Sequence, residues 1–150
     1  MVALVLSGGH TVDLASGRVD RHGVLGRTIP GVTAALGRPD YRTATVLGWG
    51  ARPDFALEVR FRREHGVRRA WSLAFERGVR DVKLGDLLAR SSIGLQQAIR
   101  AGYRGTFVLV RPYRCRPSRC SGEFAARGGS LHVGFGTQAE LGTYLTVWTS

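Results

Sequence analysis

An internal duplication is the feature of this sequence that most narrows the choice of fold. The stretch LGRTIPGVTAAL at 25–36 recurs in pattern 63 residues later, as LARSSIGLQQAI at 88–99. The two copies keep leucine, arginine, a hydroxyl residue, glycine and a final aliphatic residue at equivalent positions. A duplication of this kind predicts two similar structural units that share a core. We assign the first repeat to 1–78, with a strand or hairpin at 1–20, and the second to 79–150.

Strand patterns follow the duplicated segment in both repeats. LEVRF at 57–61 matches LHVGF at 131–135, now 74 residues apart. Apolar residues alternate with other residues in both stretches, which predicts strands with one buried face. The eleven additional residues of the second repeat fall between Val110 and Gly129, so we expect an enlarged loop there.

Each repeat has the same predicted order of elements. Thr28 and Ser91 are suitable N-caps, and Gly37 and Gly102 are suitable helix ends. Three strands are expected after each helix. Their expected inward residues are Leu57, Val59, Phe61, Trp71, Leu73, Phe75, Leu131, Val133, Phe135, Leu145 and Val147. The sequence therefore predicts the α+β class, with short helices covering one face of antiparallel strands and the other face left free.

The net charge of +11 is carried almost entirely by arginine, because Lys83 is the sole lysine. Arginine forms bidentate contacts with carboxylates and phosphates and stacks on aromatic rings. The charge therefore favours an acidic protein, a nucleic acid or an anionic membrane surface as a partner. A GC-rich coding sequence would explain the choice of arginine over lysine but not the excess of positive charge.

The two cysteines, Cys115 and Cys120, flank the turn-forming residues Pro117 and Ser118. This spacing favours a local disulfide across a turn, with two free thiols in a cytosolic loop as the alternative. No further Cys or His pair is present at the spacing of a zinc site. Oxidation would indicate a secreted or cell-envelope protein; a cytoplasmic location stays open.

Arginines cluster around the two cysteines. They are Arg111, Arg114, Arg116 and Arg119. Four positive charges in a loop closed by a disulfide predict an anion-binding patch, and a solvated loop is the plain alternative.

Sequence signals for catalysis are weak. His10, Asp13, Asp20 and His22 lie near the start, but their spacing does not define a metal or acid–base site. The SGGH turn at 7–10 lacks the lysine of a phosphate-binding loop, and no nucleophile elbow occurs. No apolar stretch is long enough for a membrane helix. We expect a protein that is not an enzyme and has no cofactor and no metal.

The duplicated helix resembles a known signature. LGRT at 25–28, Val32 and ALGRPD at 35–40 fit the pattern G-x-T-x-x-x-V-x-x-x-L-G-x-P. This pattern is similar to that of the β-lactamase inhibitory protein family, which small lipoproteins of outer-membrane assembly share. The duplication and the LHVGF and YLTVW strands strengthen the resemblance, which covers most of the chain beyond residue 20. It implies two sheets joined into a curved saddle that grips a partner protein, with helices on one face.

The resemblance also implies roles for individual residues. Asp54 and Phe55 correspond to a docking hairpin of the family. His132 corresponds to a contact residue on the last strand but one. Phe124 corresponds to an aromatic residue of an insertion loop. The chain departs from the family because its cysteines lie only in the second repeat. It also has Glu58 and Gly134 where the family has aromatic residues.

Residues that alternate off the predicted core supply the remaining candidate contacts. They are Glu58, Arg60, His132, Tyr144 and Trp148. Asp54 could instead be an ordinary turn residue, and Phe55 could be an aromatic residue of the core. The alternative for His132 is a solvated position on the sheet. We interpret the chain as a protein-binding module. The most specific version of this hypothesis is that it is a protein inhibitor of an enzyme. An electrostatic binder of nucleic acid or anionic envelope polymer, and a structural envelope component, are the competing hypotheses.

Overall fold

The computed structural model of the chain describes seven segments. These are 3–5, 11–13, 16–50, 57–76, 105–117, 119–138 and 142–149. Within them, one helix, α1, spans Ile29–Leu36. The strands before the middle of the chain are β1 Ala3–Val5, β2 Thr11–Asp13, β3 Arg18–Val19, β4 His22–Gly23, β5 Tyr41–Arg42, β6 Val46–Trp49, β7 Leu57–Glu64 and β8 Val67–Glu76. The later strands are β9 Phe107–Arg116, β10 Arg119–Ala126, β11 Leu131–Gln138 and β12 Gly142–Thr149.

The strands form two antiparallel sheets. The small sheet has the order β1-β2-β3-β4, and the large sheet has the order β5-β6-β7-β8-β12-β11-β10-β9. Strands β5 to β8 form one meander and β9 to β12 form another, so neighbouring strands are also neighbours in sequence. The two meanders meet where β8 pairs with β12, with Leu73 opposite Val147. This pairing makes one continuous eight-stranded sheet from the two halves of the chain.

One face of the large sheet carries the core. Residues directly opposite each other on antiparallel strands project to the same face. One such row crosses six strands and reads Leu47, Val59, Leu73, Val147, Val133 and Phe124. Each of these side chains is at most 1% exposed. The alternation seen in the sequence is thereby confirmed for both β7 and β11.

Helix α1 and the segment 16–25 cover this core face. Val32 and Leu36 of α1 and Val19 and Val24 of the segment are buried in the same core as the strand residues. The predicted N-cap is confirmed, because Thr28 Oγ1 accepts a hydrogen bond from the backbone N–H of Gly31 at 3.3 Å. The opposite side of the sheet carries half-buried and exposed polar and aromatic side chains.

Replacing Thr28 by alanine should lower the free energy of unfolding by about 1 kcal/mol, because the first turn of α1 would lose its side-chain acceptor. Urea denaturation of Thr28→Ala and Thr28→Ser would measure this, since serine keeps the hydroxyl. An equal loss in both variants would contradict the capping role.

The predicted fold class is wrong. The chain is mostly β, with a single helix of eight residues among the described segments, and is not a balanced α+β fold with helices on one face. Each half contributes four strands to the large sheet instead of the three expected. The stretch expected to be an enlarged loop forms the long hairpin of β9 and β10. The second predicted helix, at 88–99, lies outside the described residues.

The hairpin of β7 and β8 explains a second difference from the sequence prediction. Its turn places His65 and Gly66 at φ values of 50° and 82°, the left-handed conformations of a two-residue hairpin. Further along, the register shifts, so that Ala70 lies opposite Phe61 and Trp71 becomes the additional residue of a bulge. Ala70 is therefore buried in the core, whereas the half-buried Trp71 lies 5.3 Å from the guanidinium carbon of Arg62. The prediction that Trp71 points inward is wrong.

Candidate functional site

The candidate site is the face of the large sheet opposite the core, which we call the outer face. Along each strand, the residues of the outer face alternate with the buried residues of the core row, and the register of the strands aligns them across the sheet. Its central residues are Glu58 and Arg60 on β7, Ser72 on β8, Glu123 on β10, His132 on β11, and Tyr144 and Trp148 on β12.

A stacked pair of rings lies at the centre of the outer face. His132 and Trp148 are opposite each other on β11 and β12, their ring centroids are 5.4 Å apart, and their planes are inclined by 11°. The Trp148 ring also lies over Gly134, where a Cβ atom would come 2.8 Å from Cζ3 of the indole. Glycine thus leaves room for the indole to lie across β11. The result is an aromatic surface held close to the sheet.

Tyr144 adds a second ring to this surface. It lies opposite Gly136, and a Cβ atom on that glycine would come 2.7 Å from the phenolic oxygen. Two glycines on one face of β11 therefore receive two aromatic rings from β12. Both rings are half-buried, so part of each stays open to a partner.

Polar atoms beside the rings have unfilled hydrogen-bonding capacity. Nδ1 of His132 lies 3.5 Å from Oε1 of Glu123, within ion-pair range, but makes no hydrogen bond to the described residues. The two side chains are 25% and 19% exposed. Oγ of Ser72, which is fully buried, likewise has no hydrogen-bond partner in the described part of the chain. Buried polar groups without partners are rare and often mark functional positions.

Two of the three arginines of β7 are paired with glutamates of the same strand. Arg60 is paired with Glu58 at 3.4 Å, and Arg62 with Glu64 at 2.9 Å. Residues two apart on a strand share a face, so these pairs form along the outer face itself. The part of the outer face on β7 therefore presents alternating charges with little net charge.

Strand β9 is different, because it contains no acidic residue and its arginines form no ion pair with the described residues. Arg111, Arg114 and Arg116 are all exposed. Arg111 lies opposite Glu123 on β10, and Arg114 lies opposite Ser121. We call these three residues the arginine edge. Arg119 lies opposite Arg116 in the register, but its side chain is outside the described part of the structure.

A disulfide joins the two strands at the end of this hairpin. Cys115 and Cys120 are directly opposite each other, with their Cα atoms 4.0 Å apart, which confirms the predicted bond. The bond links paired strands and does not close an enlarged loop. It holds together the end of the hairpin that carries Arg114 and Arg116.

The structure brings together three of the predicted contacts, His132, Tyr144 and Trp148. Glu58 and Arg60 lie on the same face, but their strand β7 is two strands away from β12 and three from β11. Phe124 does not belong with them. It is 1% exposed on the core face, and its ring centroid lies 5.5 Å from that of Phe135. The insertion-loop assignment failed because the supposed loop is a strand. Asp54 and Phe55 lie outside the described residues.

Sequence reasoning missed Glu123 and Gly136. Glu123 was missed because β10 was not recognised as a strand, so its position opposite Gly134 and beside His132 could not be read from the sequence. The glycines could have been found from the HVGFG pattern, which places Gly134 and Gly136 on the same face as His132. Small residues opposite aromatic ones on a neighbouring strand indicate rings that lie flat on the sheet.

Three further findings complete the description of the site. No group of three or more His, Cys, Asp or Glu side chains within the described segments could hold a metal ion. In the same segments, no helix is long and apolar enough to cross a membrane. Comparison of the chain with protein-family models, curated proteins and solved structures gives no match.

Proposed function

We propose that this chain is a protein-binding module that docks a partner on its outer face, as in the β-lactamase inhibitory proteins that its duplicated helix motif resembles. The observation that carries the proposal is the stacked pair of His132 and Trp148 on β11 and β12, with the Trp148 ring lying over Gly134. Tryptophan and tyrosine at the centre of a protein contact supply most of its binding energy. Their half-buried state also means that little ordering of these side chains is needed on binding.

The polar residues around the rings support the same function. Interfaces surround an apolar centre with a polar rim. Here the rim consists of the paired charges of β7 on one side and the arginine edge on the other. The exposed Cys115 in a disulfide fits an extracytoplasmic protein, because such bonds persist in oxidising compartments.

Inhibition of a panel of class A β-lactamases by the purified chain tests this proposal. We expect inhibition of at least one enzyme, and Trp148→Ala should raise the inhibition constant at least 30-fold, since a central tryptophan contributes about 2 kcal/mol or more. Val67→Ala is the matched control, because Val67 is 42% exposed at the hairpin end of β8 and lies away from the aromatic pair.

A second candidate function is electrostatic binding of nucleic acid or an anionic polymer. The exposure of all three residues of the arginine edge favours it. Binding of this kind weakens steeply with salt. Absence of inhibition across the whole panel, together with salt-sensitive binding of an oligonucleotide, would replace the first proposal by this one.

A further inference from the structure

We propose that the arginine edge is a second contact region of the outer face and that it binds a carboxylate-rich segment of the partner. This inference rests on the proposed function, because it names the chemistry of the protein that docks there. It makes Arg111, Arg114 and Arg116 recognition residues for acidic side chains.

The first argument is the distribution of charge. From 105 to 150 the sequence contains five arginines and two glutamates. Glu123 is the acidic residue among the described positions of β9 to β12, and its carboxylate lies beside His132. On β7, in contrast, Arg60 and Arg62 each have a glutamate on the same strand. In the described sheet, positive charge without a carboxylate partner therefore lies along β9, and also at the turn end of the β7–β8 hairpin, which carries Arg63, Arg68 and Arg69. Of these two places, β9 is the one whose neighbouring strand holds Glu123 beside His132 of the aromatic pair.

The second argument is continuity with the aromatic pair. On the outer face, Trp148 on β12 lies opposite His132 on β11, the His132 ring lies 3.5 Å from the carboxylate of Glu123 on β10, and Glu123 lies opposite Arg111 on β9. Neighbouring strands are about 4.8 Å apart, so roughly 14 Å separates β12 from β9. A standard protein interface is wide enough to cover both regions at once. One partner can therefore contact the rings and the arginine edge together.

The third argument concerns how β9 can bind. As an edge strand it could in principle pair with an added strand through its backbone. Pro112 has no N–H, and the register between β9 and β10 shifts on both sides of Glu123, which makes the edge irregular. Such irregularities discourage strand addition. Recognition at β9 is therefore left to its side chains, and arginine holds carboxylates in a bidentate manner.

The fourth argument favours acidic protein over a nucleic acid. Glu123 lies within the outer face next to the arginine edge, and Glu58 lies further along the same face. A continuous chain of phosphates crossing this face would pass both carboxylates. An acidic protein segment can place its carboxylates on the arginines alone and neutral residues elsewhere.

The test measures binding of three labelled probes to the purified chain by fluorescence anisotropy. The probes are a decaglutamate peptide, a neutral Gly-Ser decapeptide and a ten-nucleotide oligothymidylate. We expect decaglutamate to bind more tightly than the oligothymidylate at 150 mM NaCl, and the neutral peptide not to bind. The Arg111→Glu/Arg114→Glu double variant should weaken decaglutamate binding at least tenfold.

The matched control is Arg38→Glu/Arg42→Glu, which makes the same change in net charge at two other exposed arginines. Arg42 lies on β5, the opposite edge strand of the same sheet. This control should weaken binding less than threefold. Thermal denaturation checks that both double variants remain folded, and Arg111→Gln/Arg114→Gln repeats the test without reversing charge.

Three outcomes would overturn the inference: no decaglutamate binding, equal losses in both double variants, or tighter binding of the oligothymidylate through the same arginines. The peptide assay contains no hydrolase, so it is independent of the proposed function. Peptide binding through the arginine edge without any β-lactamase inhibition would overturn only the inhibitor proposal. Inhibition that Arg111→Glu/Arg114→Glu leaves unchanged would overturn only the role of the arginine edge.

Discussion

Gly136→Ala is expected to lower the free energy of unfolding by about 3 kcal/mol, near the upper end of the cost of overpacking. A Cβ atom at this position would lie 2.2 Å from the carbonyl oxygen of Cys120 and 2.7 Å from the phenolic oxygen of Tyr144. The tyrosine can rotate away, but the carbonyl belongs to the backbone of β10. That backbone is fixed by pairing on both sides and by the bond from Cys120 to Cys115. The two strands must therefore separate locally to admit a methyl group.

Urea denaturation would measure this loss, with Gly23→Ala as the control. Gly23 also lies in a strand, but a Cβ atom there would have no neighbour within 4 Å. The free energy of unfolding of Gly23→Ala should therefore stay within about 0.5 kcal/mol of that of the original protein. Equal stability of the two alanine variants would show that β10 and β11 are not as closely paired as the structure has them.

The glycines on β11 connect stability with the proposed binding surface. Gly134 and Gly136 accept rings from β12 that would otherwise stand away from the sheet. Isolated from its context, glycine weakens a strand, because it has no side chain to pack. The rings of Trp148 and Tyr144 supply that packing from the neighbouring strand. The same arrangement that stabilises β11 therefore also fixes the orientation of the aromatic surface.

Much of the outer face could be predicted from sequence because one buried face imposes a period of two. Once Val133 and Val147 are assigned to the core, His132 and Trp148 must face the other way. Helix α1 was equally predictable, because a hydroxyl residue, a proline at the start and a glycine at the end mark its limits. These signals are local, and they did not depend on knowing which strands pair.

The hairpin of β9 and β10 could not be predicted by the same reasoning. Its CRPSRC end has the composition of a turn, and Pro112 argues against a central strand. Both features are compatible with an edge strand, but nothing in the sequence identified β9 as one. The bulge at Trp71 was equally hidden, since an additional residue shifts the alternation without a distinctive sequence signal. Consequently the fold class was predicted wrongly, Phe124 was assigned to a loop, and Glu123 was missed.

Phe124→Ala is expected to lower the free energy of unfolding by roughly 3–5 kcal/mol, the usual cost of truncating a buried phenylalanine. Phe124 is 1% exposed, and its ring centroid lies 6.4 Å from that of Phe107 and 5.5 Å from that of Phe135. Its removal would leave a cavity that the paired strands cannot close. Urea denaturation measures the loss, and Val110→Ala, at a side chain that is 56% exposed, should change stability by less than about 0.5 kcal/mol. A comparably small loss for Phe124→Ala would place this residue on the surface, as the insertion-loop assignment had it, and would return it to the candidate partner contacts.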